Sequence, residues 1–304
     1  SDMGFAQIKP ILNKEKIWDS EYGTVPFDVE TFTGQISSTI SNQRQTTPKQ
    51  DKTIYDEKQN SMALGETQFI QQVQTSKQLS ATEKQQLTTA RQTVQANPET
   101  ALAFVAMDPK WSQPAQQFAS YLNASIAFYN SDYKTAGKIY TVLSQVDEPW
   151  IKETSQYMLI RVAINQAYQS ATDTYGDFEI SKVNPVLSKA ITQRVNDYLK
   201  AYPHGLYRAS AQGLLRRGYW FSGQNDKLIQ ELAWQLHHPK DPNYNLDILL
   251  LPNELDNQVF SNEKLDPNNL KDPFFLTIYD LMQMCKPTGE DQQSISWAQL
   301  QQQK

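Results

Sequence analysis

Residues 112–149, SQPAQQFASYLNASIAFYNSDYKTAGKIYTVLSQVDEP, decide the fold. Phe118, Tyr121, Leu122, Ser125, Ile126 and Phe128 recur at spacings of three and four, which puts them on one face of a helix running from about Ser112 to Tyr129. Asn130-Ser131-Asp132 then makes a short turn, and Ala136, Ile139, Tyr140 and Leu143 form the stripe of a second helix. Glu148-Pro149-Trp150 closes the pair. Proline at a first helical position costs no hydrogen bond, because that amide has no intrahelical partner.

The same alternation spreads downstream. A helix after Pro149 carries Trp150, Tyr157, Ile160, Val162 and Ile164, and another is expected from Pro185 to Tyr202. Pro203-His204-Gly205 breaks it, Leu206 to Phe221 follows, and Ser222-Gly223-Gln224 turns into Asp226 to Leu236. Pro239, Pro242, Pro252 and Pro267 make 239–271 an irregular insertion. A helix starts at Asp272-Pro273, and a short polar one is expected over 294–302. Upstream, Ser80-Ala81-Thr82-Glu83 is a capping box that opens a polar helix ending near Asn97-Pro98.

Residues 1–65 read differently. Residues 1–3 look like a tag remnant, and Gly23, Pro26, Gly34 and Pro48 interrupt the stretch. The polar run 37–47 lacks an apolar stripe. An extended N-terminal arm is expected, irregular near 37–60, with Phe5, Ile8, Ile11, Leu12 and Trp18 as anchors on a helical body spanning 66–304.

Composition agrees with an all-α chain. Only 11 glycines occur in 304 residues, about half the usual ~7%, and tight β-turns and phosphate loops consume glycine. The hydrophobic share, 39%, falls below the usual ~45–50%, so part of the chain is expected to stay outside a core. A net charge of −5 argues against nucleic-acid binding, which needs a basic face. No run is long and apolar enough to span a membrane. The lone Cys285 lies in an apolar stretch and reads as a small core hydrophobe.

Segment 121–149 resembles a tetratricopeptide (TPR) repeat. Tyr121, Ala124, Ser125 and Phe128 match the large, paired and aromatic positions of its first helix; Ala136, Tyr140 and Pro149 match the second helix and its closing proline. Leu143 departs from the small residue expected there. A weaker match runs through Leu214, Gly218, Phe221, Leu228 and Leu232. The resemblance implies a fold of stacked α-hairpin repeats, an α-solenoid. The stretch Tyr198-Leu199-Lys200-Ala201-Tyr202-Pro203-His204-Gly205-Leu206-Tyr207-Arg208-Ala209-Ser210-Ala211 looks like the inter-helix joint of bacterial periplasmic TPR lipoproteins of the outer-membrane assembly type. That resemblance implies a periplasmic scaffold on the outer membrane, anchored by a lipidated cysteine just upstream of Gly4, with a protein or peptide partner in the cell envelope.

Catalytic motifs are missing: there is no G-x-G-x-x-G, G-x-x-x-x-G-K, H-E-x-x-H or G-x-S-x-G. His237-His238 cannot share a helix face and read as C-terminal helix residues. Ser131-Asp132-Tyr133-Lys134 matches S-x-x-K but falls in a turn. Asp241 to Asp247 spaces oxygens like a calcium loop, but Leu246 replaces the essential Gly and Pro252 the closing Glu. No cofactor, metal site or catalytic residue is expected. The candidate binding residues are Trp150, Tyr157, Arg161, Arg216, Arg217 and Trp220, because aromatics and arginines are favoured anchors at interfaces. Two alternatives stay open: a helical accessory domain of a larger peptidoglycan-processing enzyme, and a glycan-binding envelope protein.

Overall fold

The computed structural model describes residues 54–94, 101–247, 251–261 and 265–284. The expected arm anchors, the 294–302 helix and Cys285 lie outside them. Among the described residues the protein is all-helical; an isolated bridge between Thr172 and Phe178 is the β feature present. The chain divides at Gly223 into two compact units.

The first unit holds α1 (Ile54–Thr75), α2 (Ala81–Thr93), α3 (Gln113–Tyr129), α4 (Tyr133–Leu143), α5 (Pro149–Ser170), α6 (Pro185–Ala201) and α7 (Arg208–Phe221). Its first helix starts upstream of the expected boundary at 65. The run from Ile54 is rich in Glu, Lys, Gln, Met and Leu, good helix formers that carry no clean apolar stripe to betray the helix.

Helix starts follow local chemistry. Ser80 Oγ accepts from Glu83 N while Glu83 Oε2 accepts from Ser80 N, completing the capping box. Ser112, Asp132, Glu148 and Asn184 cap α3, α4, α5 and α6 with side-chain oxygens. Pro149 and Pro185 occupy the first turns that follow.

Consecutive helices pack from α3 through α7, and the next-but-one pairs α3–α5 and α5–α7 also touch. The α3–α4 seam is small against aromatic. Ala124, Ala127 and Ala136 are buried with Phe128 and Tyr140, and Ser125 Oγ lies 3.0 Å from the Tyr140 hydroxyl, giving that buried group a partner. A Cβ on Gly137 would stand 3.3 Å from Val162 Cγ1, so α4 and α5 are close there too. Leu143, in place of a small residue, is buried in the cluster that joins α1–α5. An aromatic knot ties α1 into this cluster: Phe69 meets Phe118 edge-on at 5.8 Å and stacks on Tyr121 at 6.2 Å. At α7, Gly218 faces α6, where an added Cβ would come within 2.8 Å of Thr192 Cγ2.

The second unit contains α8 (Asn225–His237), α9 (Leu251–Leu255) running into a π-helical turn Asp256–Phe260, and α10 (Pro273–Met284). Leu228, Leu232, Leu255, Phe275 and Ile278 are fully buried in it. The loop after α8 is pinned by buried Gln235, whose Oε1 accepts from Asn245 N at 2.9 Å and whose Nε2 donates to Asn243 O at 3.3 Å. The weaker repeat match straddles the two units.

Candidate functional site

The six candidate residues fall into three environments. Trp150 is buried at the start of α5, stacked on Phe118 at 6.2 Å and tilted against Tyr121 at 4.9 Å. It belongs to the core joining α1, α3 and α5. Tyr157 and Arg161 lie one turn apart on α5 and are half-buried. The Arg161 guanidinium sits over the Phe128 ring of α3, 5.1 Å from its centroid. That stacking leaves the edge donors of the planar fork to point elsewhere. Arg216 is buried and adjacent Arg217 is exposed, since a helix turns about 100° per residue. Arg217 lies over its own helix's Trp220 and Phe221, at 5.6 and 5.8 Å. Trp220 and Phe221 in turn pack on Phe178, which stacks on Tyr168 at 4.7 Å.

Tyr157 leads to a network along the α5–α7 seam. Its ring stacks on Tyr207 at 4.5 Å and its hydroxyl meets Ser210 Oγ at 2.7 Å. Tyr207's hydroxyl lies 3.1 Å from Thr154 Oγ1, and burial raises its pKa against the pull of Thr154 and Trp150. Sequence reading passed over the group beneath, Glu153. Its Oε1 accepts from the Tyr198 hydroxyl at 2.8 Å and from Leu206 N at 2.6 Å. The Tyr198 oxygen accepts from Tyr207 N at 3.0 Å. Burial, reinforced by the Glu153 hydrogen bond, raises the Tyr198 pKa well above a free phenol's. Gly205 lets the joint close: a Cβ there would fall 2.6 Å from Glu153 Oε1 and 2.7 Å from the Tyr198 hydroxyl.

A second feature lies on α3. Residues 101–107 form neither helix nor strand. Asn123 Oδ1 accepts from Val105 N at 2.8 Å and its Nδ2 donates to Val105 O at 3.0 Å. Asn130 does the same with Leu102, at 2.8 Å each way. The sequence signal was two asparagines seven residues apart, on one side of a helix.

The histidines stand at the end of α8. His238 Nδ1 lies 2.7 Å from Trp234 O with its ring stacked on Trp234, and His237 Nε2 lies 2.7 Å from Asp272 Oδ2. Ser131 occupies the α3–α4 turn at φ 63°. Asp241 Oδ1 accepts from Asn243 N, closing a turn of the proline-rich loop. Among the described residues no group of three His, Cys, Asp or Glu side chains is arranged to hold a metal, and no helix is long and apolar enough to cross a membrane. Comparison with protein-family models, curated proteins and solved structures finds no match to this chain.

Proposed function

We propose that the protein is a non-catalytic interaction scaffold whose α3–α7 helices form TPR-like repeats and offer a surface to a protein or peptide partner. The supporting observation is the packing order of α3–α7: each helix touches its successor, and alternate helices α3, α5 and α7 touch in turn. Stacked hairpins with that order present their alternate helices as one continuous face. Arg161 and Arg217, each laid over an aromatic ring, fit as anchors for carboxylates or carbonyls of a docked segment.

Placement in the bacterial cell envelope, as a lipid-anchored periplasmic or outer-membrane protein, rests on the Tyr202-Pro203 to Ala211 joint and its likeness to periplasmic TPR lipoproteins. Affinity capture from Gram-negative envelope extract, with R161E/R217E as control, tests the reading. Recovery of a defined protein by the wild type and its loss in the variant are expected. Capture of none sinks the scaffold. Co-sedimentation with purified peptidoglycan but no protein favours the glycan-binding alternative.

A further inference from the structure

The pairing of Asn123 and Asn130 with residues 102 and 105 has the geometry of a peptide-binding site already holding a peptide. Both asparagines read main chain only, each satisfying one N–H and one C=O. Seven residues of α3 advance about 10.5 Å. Three residues of a chain with three residues per turn, as in polyproline II, advance about 9.3 Å. The two steps agree within about 1 Å, so successive turns of an extended chain meet successive asparagines. A β-strand, with its period of two, would turn residues 102 and 105 to opposite sides.

Burial shows the same period. Leu102, Val105 and Asp108 are half-buried, while 101, 103, 104, 106 and 107 are exposed. Leu102 and Val105 pack on the α1–α5 core, whereas Phe104 and Met107 are 54% and 44% exposed. Leu102 and Val105, three residues apart, are therefore inspected by an apolar surface, and the side chains between them are not. The chain runs antiparallel to α3, since Asn123 holds 105 and Asn130 holds 102.

We infer that the Asn123–Asn130 face of α3 is a binding site for an extended peptide with two aliphatic residues three positions apart, and that residues 101–108 are its tethered resident occupant. This deepens the scaffold reading and rests on it: the partner contributes such a segment and exchanges with the resident one. Because recognition is through main chain, replacement asks only for the threefold conformation and the two aliphatic side chains. A tethered occupant competes at an effective concentration of about millimolar, so the site is closed to weak ligands until the resident segment lets go.

The test uses a labelled peptide of the resident sequence, Ala-Leu-Ala-Phe-Val-Ala-Met-Asp, and fluorescence anisotropy on the full chain. L102D/V105D weakens the resident segment and leaves the asparagines in place. If the segment fills the site nine-tenths of the time or more, release tightens peptide binding at least about tenfold over wild type. Adding N123A/N130A to the released variant abolishes binding, and so does N-methylation of the peptide at the residue equivalent to Val105, which removes a donor and keeps every side chain. Circular dichroism checks the fold; if the aspartates unfold the chain, L102A/V105A takes their place under the same criteria. A folded, released variant that binds no tighter than its asparagine-free counterpart overturns the inference. So does binding that the N-methyl group leaves unchanged. Envelope capture through Arg161 and Arg217 reads the scaffold independently, so either proposal can fail while the other stands.

Discussion

The α3–α4 and α6–α7 joints do the same job by different means. At α3–α4 the backbone closes on itself: Asn130 N donates to Ile126 O, Ser131 N to Phe128 O and Asp132 N to Ala127 O, and Asp132 caps the next helix through Thr135 N. At α6–α7 the turn leans on a third helix, because Glu153 of α5 takes Leu206 N and the Tyr198 hydroxyl together. The first joint is written in adjacent residues. The second exists only when α5 is packed in place, so its stability reports on the stack.

The largest expected effect comes from removing that third-helix contribution. Glu153→Ala leaves the Tyr198 hydroxyl and Leu206 N without their acceptor and costs about 2–3 kcal/mol in urea unfolding, by the usual worth of hydrogen bonds to a charged group. A loss under 0.5 kcal/mol, on the order of a neutral surface change, would make the joint as self-sufficient as α3–α4. Gly205→Ala comes next. Its Cβ has no room beside Glu153 and Tyr198, and overpacking there costs about 1–3 kcal/mol; an unchanged melting curve would show that the joint relaxes freely.

Acid sensitivity sharpens the contrast at a third joint. Glu83 accepts from Ser112 N at 2.7 Å and from Ser80 N at 2.8 Å, and these hydrogen bonds hold its carboxyl down to about 2, below the 4.5 of a free glutamate. A carboxylate depressed on folding stabilises fully above its unfolded pKa and loses that stabilisation as pH falls through its folded one. Stability is therefore expected to decline from about pH 4.5 towards pH 2, and Glu83→Gln should flatten that part of the profile. An identical slope in the variant would assign the acid transition elsewhere. The smallest effect belongs to the self-closed turn: Ser131→Gly relieves a left-handed backbone at φ 63° and raises stability by less than about 1 kcal/mol. A clear loss instead would mean that the Ser131 side chain helps hold the turn.

The candidate residues separate along the same line. That an aromatic follows Pro149 is plain in the sequence; that Trp150 is roofed by Phe118, Tyr121 and Phe69 depends on three other stretches of chain. Arg216 and Arg217 are neighbours in sequence, and only the angle of α7 in its unit decides that one is buried and the other exposed. Gly218, one residue of the weaker repeat match, serves the approach of α7 to α6. Asn123 drew no assignment and Asn130 read as a turn residue alone, because a backbone partner leaves no complementary residue type to search for.

Helix class, the caps at Ser80, Ser112, Asp132, Glu148 and Asn184, and the prolines in the first turns after Ser112, Glu148 and Asn184 were determined by sequence alone, because a cap is settled within four residues and needs no partner from elsewhere. Tertiary structure decided what the spare valences of those same groups would hold. Glu83 finishes a capping box and still has an oxygen for Ser112, Asn130 ends α3 and still has an amide for Leu102, and Glu153 on α5 closes a turn between two other helices. A carboxylate or amide can accept or donate more than once, and which distant group takes the second bond is fixed only when packing brings it within reach.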